Sequence, residues 1–449
     1  MRRFVVFLLL ILAGAALALQ VMRSEQGSVV RELLSFPDSD ASIHKLRPVV
    51  AGLLCFIPAA GALGYALAGT LARYVTRQFL VIFAICMAGL FSIWMVIDLS
   101  DNLDDLRQSG HAGELILKLY SARLPQISVE LLPYGLLLSL LYCLGRFSAS
   151  REIVAMSQTG RGLMRLTFPF MVVGLLATLL CMGLNFYWAP HAVSAEKAIV
   201  DEAKNLAPTV AESQRYRNVA DLRMWMVGAF PPNFQMGEPL RDIFVIQERP
   251  DGSLESVLTA ATASWKSSNR NWTLTKPRKL LIQPTPIPPQ FEADLPDPLV
   301  ITDWRETPAE IIRPGLPAAQ LGIPDLTDWL QDHGDGQLRQ RAAHLTQWHS
   351  RWAQPFNCLI VVILATPLGV VFTRRGTSGG VALAVFLCGG MIFLTTVSLS
   401  LGDSGHLSPG FAAWLPNIVF GLLAFYLFRR RLAGQPIYQT LRKFLPTEA

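Results

Sequence analysis

The sequence predicts a polytopic α-helical membrane protein that carries an inserted all-β domain outside the bilayer. Three observations predict it. Of 449 residues, 51% are hydrophobic and only 16% charged, against about 25% charged in soluble domains. Eight stretches are each apolar over the length that crosses a bilayer, about 20 residues. Between the fifth and sixth lies a long polar stretch, 190–350, that contains strand-like alternation.

The eight spans are 4–22, 49–71, 78–97, 124–145, 166–189, 352–373, 377–401 and 408–428. The fourth is the least regular, because Glu130, Pro125 and Pro133 interrupt it. Neighbouring helices in a membrane can satisfy the carbonyls that proline frees. Positive charge then sets the sides. Arg2–Arg3, Arg73 and Arg77, the arginines of 146–165, Arg374–Arg375 and Arg429–Arg431 all fall on one side when the chain crosses alternately from a cytoplasmic N-terminus. The same count puts the acidic loop 98–115, the polar stretch 190–350 and the turn 402–407 outside. The first segment also fits a signal peptide, with Arg2-Arg3, an apolar core and Ala16-Leu17-Ala18. We read it as a retained anchor.

These boundaries divide the chain. Residues 1–72 form an N-terminal extension with two hydrophobic segments. Residues 73–192 hold three spans and the cytoplasmic loop, 193–310 the β domain, 311–350 linker helices, 351–430 three more spans, and 431–449 a tail. That tail, with Ile437, Leu441, Phe444 and Leu445 beside Arg442 and Lys443, reads either as a short interfacial helix or as a loose end after a positive-inside stop.

Within the β domain, Arg223–Val227 and Asp242–Gln247 alternate as strands do, and Pro250-Asp-Gly-Ser253 is a turn. Residues 260–265 and 272–275 form a hairpin around the polar turn 267–270. Prolines 284, 286, 288, 289, 296 and 298 exclude helix and confine strand to edges. Residues 325–332 and 335–350 read as helical.

Several chemistries are absent from the sequence. There is no GxxxxGK[ST] phosphate loop, and no HExxH or GxSxG. The seven histidines have no metal-ligand spacing, and no cofactor is expected. The net charge of +6 comes from basic residues beside apolar segments, as topology determinants do, so no nucleic acid is implied. All six cysteines (55, 86, 143, 181, 358, 388) sit in apolar runs, where they act as small hydrophobes. The spans hold almost no ionisable residues. Glu130 and Asp98 come nearest, both at outer ends, whereas a proton-driven transporter marks its path with mid-membrane carboxylates or histidines. The span 377–401 instead carries Gly379-Gly380, Gly389-Gly390, Thr395, Thr396, Ser398 and Ser400, which permit close helix packing or a movable seam.

The stretch 144–167 stands out. It holds Arg146, Arg151, Arg161 and Arg165 with one acid, Glu152. It reads as a small helix, near 147–163, lying under the membrane where a soluble partner could push. A membrane protein with such a helix and no catalytic motif reads as the membrane half of a two-part machine.

The motifs resemble one family. Arg123-Leu-Pro125, Leu131-Leu-Pro133, Leu144-Gly-Arg146, Arg151-Glu-Ile153 and Gly160 are followed by Asn185-Phe-Tyr-Trp-Ala-Pro190. Arg351-Trp-Ala-Gln-Pro355, Thr366-Pro-Leu-Gly369, Arg374-Arg-Gly376, Gly402-Asp-Ser-Gly405 and Ala413-Trp-Leu-Pro-Asn417 complete the set. In this order the chain resembles, over about 70–430, the lipopolysaccharide-export permeases LptF and LptG. The 260–263 hairpin and the helix before Trp352 look slightly more LptG-like.

The resemblance implies six family helices and a periplasmic β-jellyroll-like domain. It implies a non-catalytic subunit of an ABC transporter in the inner membrane, paired with a paralogous permease on a dimeric LptB-like ATPase. An LptC-like partner and periplasmic bridge proteins would receive lipopolysaccharide. The cytoplasmic helix would dock in a groove of the ATPase. Its acid matches Glu152, beside Arg151, with Ile153 and Met156 packing into that groove; without the family, Glu152 is simply a solvated partner for Arg151. The segments 78–97 and 377–401 would line the lateral gate. No phosphate ligand carries over at Met95-Val-Ile-Asp98, and the two N-terminal segments lie outside the family pattern. Competing readings are a membrane-embedded enzyme that modifies envelope lipids, for which no catalytic dyad is found, and a non-transporting assembly scaffold.

Overall fold

A computed structural model of the chain describes residues 2–33, 41–107, 112–158, 162–203, 211–218, 221–231, 234, 237–266, 269–283, 288–292, 294–312, 317–332, 338–370 and 378–433. Gly160, Arg161, Arg374–Gly376 and the tail beyond Ala433 therefore lie outside the described residues.

Among the described residues, eight helices are long and apolar enough to cross a membrane. The N-terminal extension gives α1 (Arg2–Leu33), the short α2 (Ala41–His44), α3 (Arg47–Leu54) and α4 (Ile57–Leu67). The second expected span is thus two helices. Pro58 sits in the first turn of α4, where it needs no partner for a missing N–H, and the chain bends at Cys55–Phe56. Next come α5 (Thr70–Arg107) and α6 (Ala112–Ala149). These two run through most of the expected outer loop 98–115, because charged residues on helix ends that project into water need no loop. Pro125 and Pro133 both lie inside α6 without ending it.

After α7 (Glu152–Gln158), α8 (Leu163–Phe186) crosses back, and α9 (Trp188–Ala203) leads to the sheet. The return path is α10 (Pro308–Ile312), α11 (Ile323–Asp332), α12 (Leu338–Ala353), α13 (Asn357–Gly369), α14 (Ser378–Asp403) and α15 (Pro409–Leu432).

Among the described residues, the inserted domain is an antiparallel sheet of eight strands. They are β1 (Ala211–Asn218), β2 (Arg223–Phe230), β3 (Leu240–Glu248), β4 (Leu254–Lys266), β5 (Asn271–Thr275), β6 (Arg278–Leu281), β7 (Gln290–Phe291) and β8 (Leu299–Ile301). The order is β1-β2-β3-β4-β5-β8, with β6 pairing β4 and β7. The strand-like runs at 223–227 and 242–247 and the 260–275 hairpin fall in β2, β3 and β4–β5. With 13 residues, β4 is long enough to pair β6 at Ser256–Thr259 and β5 at Thr262–Lys266, so the sheet forks there. Alternate side chains of β2 to β5 point to one core around Trp225, Ile243, Ala263 and Trp272, closed by Ile311 and Ile312 of α10. Glu306, 1% exposed, accepts two hydrogen bonds from Arg223 at 2.6 and 2.7 Å. Both come from Nη1, so the carboxylate straddles one guanidinium nitrogen, and the charge-assisted contact offsets the burial of both groups.

The membrane bundle is built around α6, α8, α13 and α15. In their most apolar stretches, 61% of α6 and 67% of α12–α13 is buried, against 11% of α5 and 22% of α14. Among the described residues, α5 packs mainly on α6, α8 and α9, with a smaller contact to α4, and α14 packs mainly on α12, α13 and α15.

The extension has a firm place. At the β-domain end, Glu25 of α1 accepts from Arg47 Nε at 2.5 Å and from Trp188 Nε1 at 3.1 Å. Arg47 also lies 3.6 Å over the Tyr187 ring, and His44 is 2.7 Å from Asp328 of α11. Glycines let the helices close in. A Cβ on Gly183 of α8 would sit 2.3 Å from Leu54 Cδ2, and one on Gly52 2.8 Å from Met22 Sδ.

Candidate coupling site

The arginine-rich end gathers the start of α5, the end of α6, α7, the start of α8 and the ends of α13 and α15. The expected helix over 147–163 divides here. Residues 147–149 finish α6, and a separate helix begins at Glu152. Arg151 makes the break. Its φ is 56°, a left-handed conformation that costs a non-glycine residue on the order of 1–2 kcal/mol. Its N–H still bonds to Ser148 O at 3.2 Å and its carbonyl accepts Ala155 N–H at 3.1 Å, so the turn closes one helix and opens the next.

Glu152 is the first residue of α7, where unpaired N–H groups favour a negative charge. Its Oε1 accepts from Ser150 Oγ at 2.8 Å and its Oε2 from the Tyr74 hydroxyl at 3.0 Å. Tyr74 belongs to α5, so the acid ties α7 to that nearly bare helix. The Tyr74 ring also lies 6.0 Å from Phe147 of α6. On the other side, Ser148 Oγ donates to Gly369 O of α13 at 3.4 Å, and Arg431 of α15 donates to Val370 O. Motion of α7 therefore has a polar link to α5 and a packed base on α6 and α13.

The four expected residues separate into two kinds. Arg151 is exposed and Glu152 half-exposed at the surface of this end. Ile153 is 1% exposed and belongs to the bundle core, with Met156 packed against it. As α7 stands, Ile153 anchors it inward and is not presented to a partner; the apolar residue facing out is Val154. A period of 3.6 places 153 and 156 on one face, but the sequence alone does not say whether that face meets the bundle or another protein. Tyr74 was missed at the sequence level. Its only local signal is a tyrosine between Arg73 and Arg77 at a span's inner end.

A second polar cluster lies at the opposite end. Arg123 of α6 pairs with Asp98 of α5 at 2.5 Å and Glu196 of α9 at 2.9 Å, and lies 4.8 Å from the Trp94 ring. Burial pushes the Glu196 carboxyl above its usual range, with Arg123 opposing and Asp98 adding to the rise.

The motif residues mostly tie helices together. Asn185 Nδ2 donates to Arg351 O at 3.0 Å, Asn417 Nδ2 to Ala353 O at 2.6 Å, and Gln347 to Asp403 at 3.0 Å. The model of the family described as lipopolysaccharide export system permease LptF/LptG matches residues 73–430. The chain belongs to that family. Its members are transporter components rather than enzymes, and this chain is a multi-pass inner-membrane permease of lipopolysaccharide export. It is similar to the lipopolysaccharide export system permease protein LptF of Escherichia coli strain K12, at 24% identity over 328 residues, or 70% of this chain and 82% of that protein. The LptF proteins of Escherichia coli O157:H7 and Shigella flexneri match to the same extent.

Proposed function

We propose that this permease is the non-catalytic membrane subunit of an ABC transporter. It extracts lipopolysaccharide from the inner membrane and passes it to a periplasmic β bridge. A separate LptB-like ATPase dimer supplies the energy from the arginine-rich, cytoplasmic side. A paralogous permease completes the pair, and an LptC-like protein receives the lipid beside a jellyroll-like β domain on the outer side. The slight LptG leaning stays part of this proposal, to be tested by which paralogue co-purifies.

The observation that carries the coupling scheme is the hydrogen bond from Tyr74 to Glu152. It connects a surface acid on a short helix to α5. Nucleotide-driven closure of the ATPase dimer would shift α7, and the shift would reach α5 through that bond. A ligand moves a two-state element only by binding its states differently, and Glu152 offers the ATPase a charged acceptor for such binding. Because α5 and α14 are bare in one chain, the gate is a seam between α5 of one permease and α14 of its paralogue.

Reconstitution of the chain with its candidate partners tests the reading. Lipopolysaccharide-stimulated ATP hydrolysis is expected, and Glu152→Lys should abolish ATPase association while membrane insertion persists. Normal co-purification and export by that variant would overturn the role of Glu152. Chemical conversion of the lipid would overturn the transport reading.

A further inference from the structure

A groove of about 940 Å³ separates the N-terminal extension from the family core at the arginine-rich end. That volume is at the upper end of ligand pockets, roughly 300–1,000 Å³. Val6 of α1, Ile57 of α4, Leu80 of α5, and Phe168 and Val172 of α8 form its walls. Among the α4 lining residues, Gly61, Ala62 and Gly64 carry little or no side chain and leave the gap beside Ile57, Tyr65 and Leu67 unfilled. A Cβ on Gly64 would come no nearer than 4.0 Å to Val172, and one on Gly69 would meet nothing within 4 Å. Close-packed interiors do not leave such space empty, and inside a bilayer the filler is lipid.

The polar features of the groove give the filler a charge. Arg77 is its one charged lining residue and is exposed, and no carboxylate pairs with it among the described residues. A guanidinium matches phosphate oxygens in geometry and charge. Basic pockets between membrane helices on the cytoplasmic side bind anionic headgroups for this reason.

We propose that this groove seats an anionic glycerophospholipid, with its acyl chains along the α1, α4 and α8 walls and its phosphate on Arg77. The lipid would fill the space between the extension and α5. The inference does not depend on which cargo the permease exports.

The test uses the full chain with its co-purifying partners, placed in nanodiscs of equal phosphatidylglycerol and phosphatidylethanolamine and then released for native mass spectrometry. Wild type should retain phosphatidylglycerol in preference to phosphatidylethanolamine. Arg77→Gln should lower that preference roughly five-fold, the share of one arginine near a headgroup. Ala62→Phe, which fills the groove, should lose retained lipid of both kinds. Equal retention of the two lipids by wild type, an unchanged preference in Arg77→Gln, or lipopolysaccharide as the retained molecule would each overturn the proposal. If Ala62→Phe does not fold, Arg77→Gln decides alone.

Discussion

α5 and α6 have the same length, 38 residues each, yet one is nearly bare and the other is the centre of the bundle. α14 and α13 repeat the contrast. The bare helices have the more apolar spanning stretches. Glycine placement differs as well. A Cβ on Gly135 of α6 would fall 2.1 Å from Met87 Sδ, one on Gly174 of α8 3.1 Å from Val362, and one on Gly369 of α13 2.9 Å from Leu144 Cβ. On the bare faces, a Cβ on Gly89 of α5 or Gly389 of α14 would meet nothing within 4 Å. Small residues let membrane helices approach closely. Gly135, Gly174 and Gly369 already do so inside the chain, as does Gly402 at the end of α14, where a Cβ would fall 2.7 Å from Ala412 Cβ; Gly89 and Gly389 are open to a second chain or to lipid.

Gly369→Leu should destroy the folded bundle, read as loss of a monodisperse peak in detergent. Gly389→Leu should fold normally and instead weaken recovery of the paralogous permease. Equal behaviour of the two variants would erase the distinction.

Labelling sharpens it next. In a cysteine-free background, Ile85→Cys on α5 should react fully with a lipid-soluble maleimide in the chain alone and be protected in the assembled complex. Leu140→Cys on α6, fully buried, should stay unlabelled in both.

A smaller effect concerns the link between the two regions. Tyr74→Phe removes one hydrogen bond to Glu152 and leaves the ring. Lipid-stimulated ATP hydrolysis should fall roughly two- to ten-fold, the range of one net hydrogen bond, while the ATPase still co-purifies.

The smallest effect is at the opposite end of α5. Glu196 is held with a raised pKa, so the folded state binds its proton more tightly than the unfolded chain does. Its contribution to stability is complete below the ordinary carboxylate range and is lost as pH rises through the raised value. Glu196→Gln should therefore gain on wild type in melting temperature, by a few degrees at most, as pH rises from about 4 to about 8. A difference that stays constant with pH would contradict the burial argument.

The spans and the main strands were legible because each rests on local periodicity. Runs of about 20 apolar residues and alternation over 223–227 and 242–247 need no knowledge of partners. Glu152, the acid proposed to couple the permease to an ATPase, was singled out only through its family motif. What escaped depends on contacts distant in sequence. Tyr74 is 78 residues from Glu152, and His44 is 284 from Asp328. The inward face of Ile153 is set by the bundle beneath it, and the break at Arg151 by a backbone angle that no residue type announces. The place of the N-terminal extension was equally hidden. Glu25 and Arg47 look like ordinary surface charges until Trp188 and Tyr187 are brought beside them.

If an external ATPase drives the permease through Glu152, liposomes holding the chain, its paralogue and the ATPase, with and without lipopolysaccharide, should show lipid-stimulated ATP hydrolysis with wild type and none with Glu152→Lys, at equal insertion of both. Hydrolysis and transport unchanged in Glu152→Lys would rule that drive out.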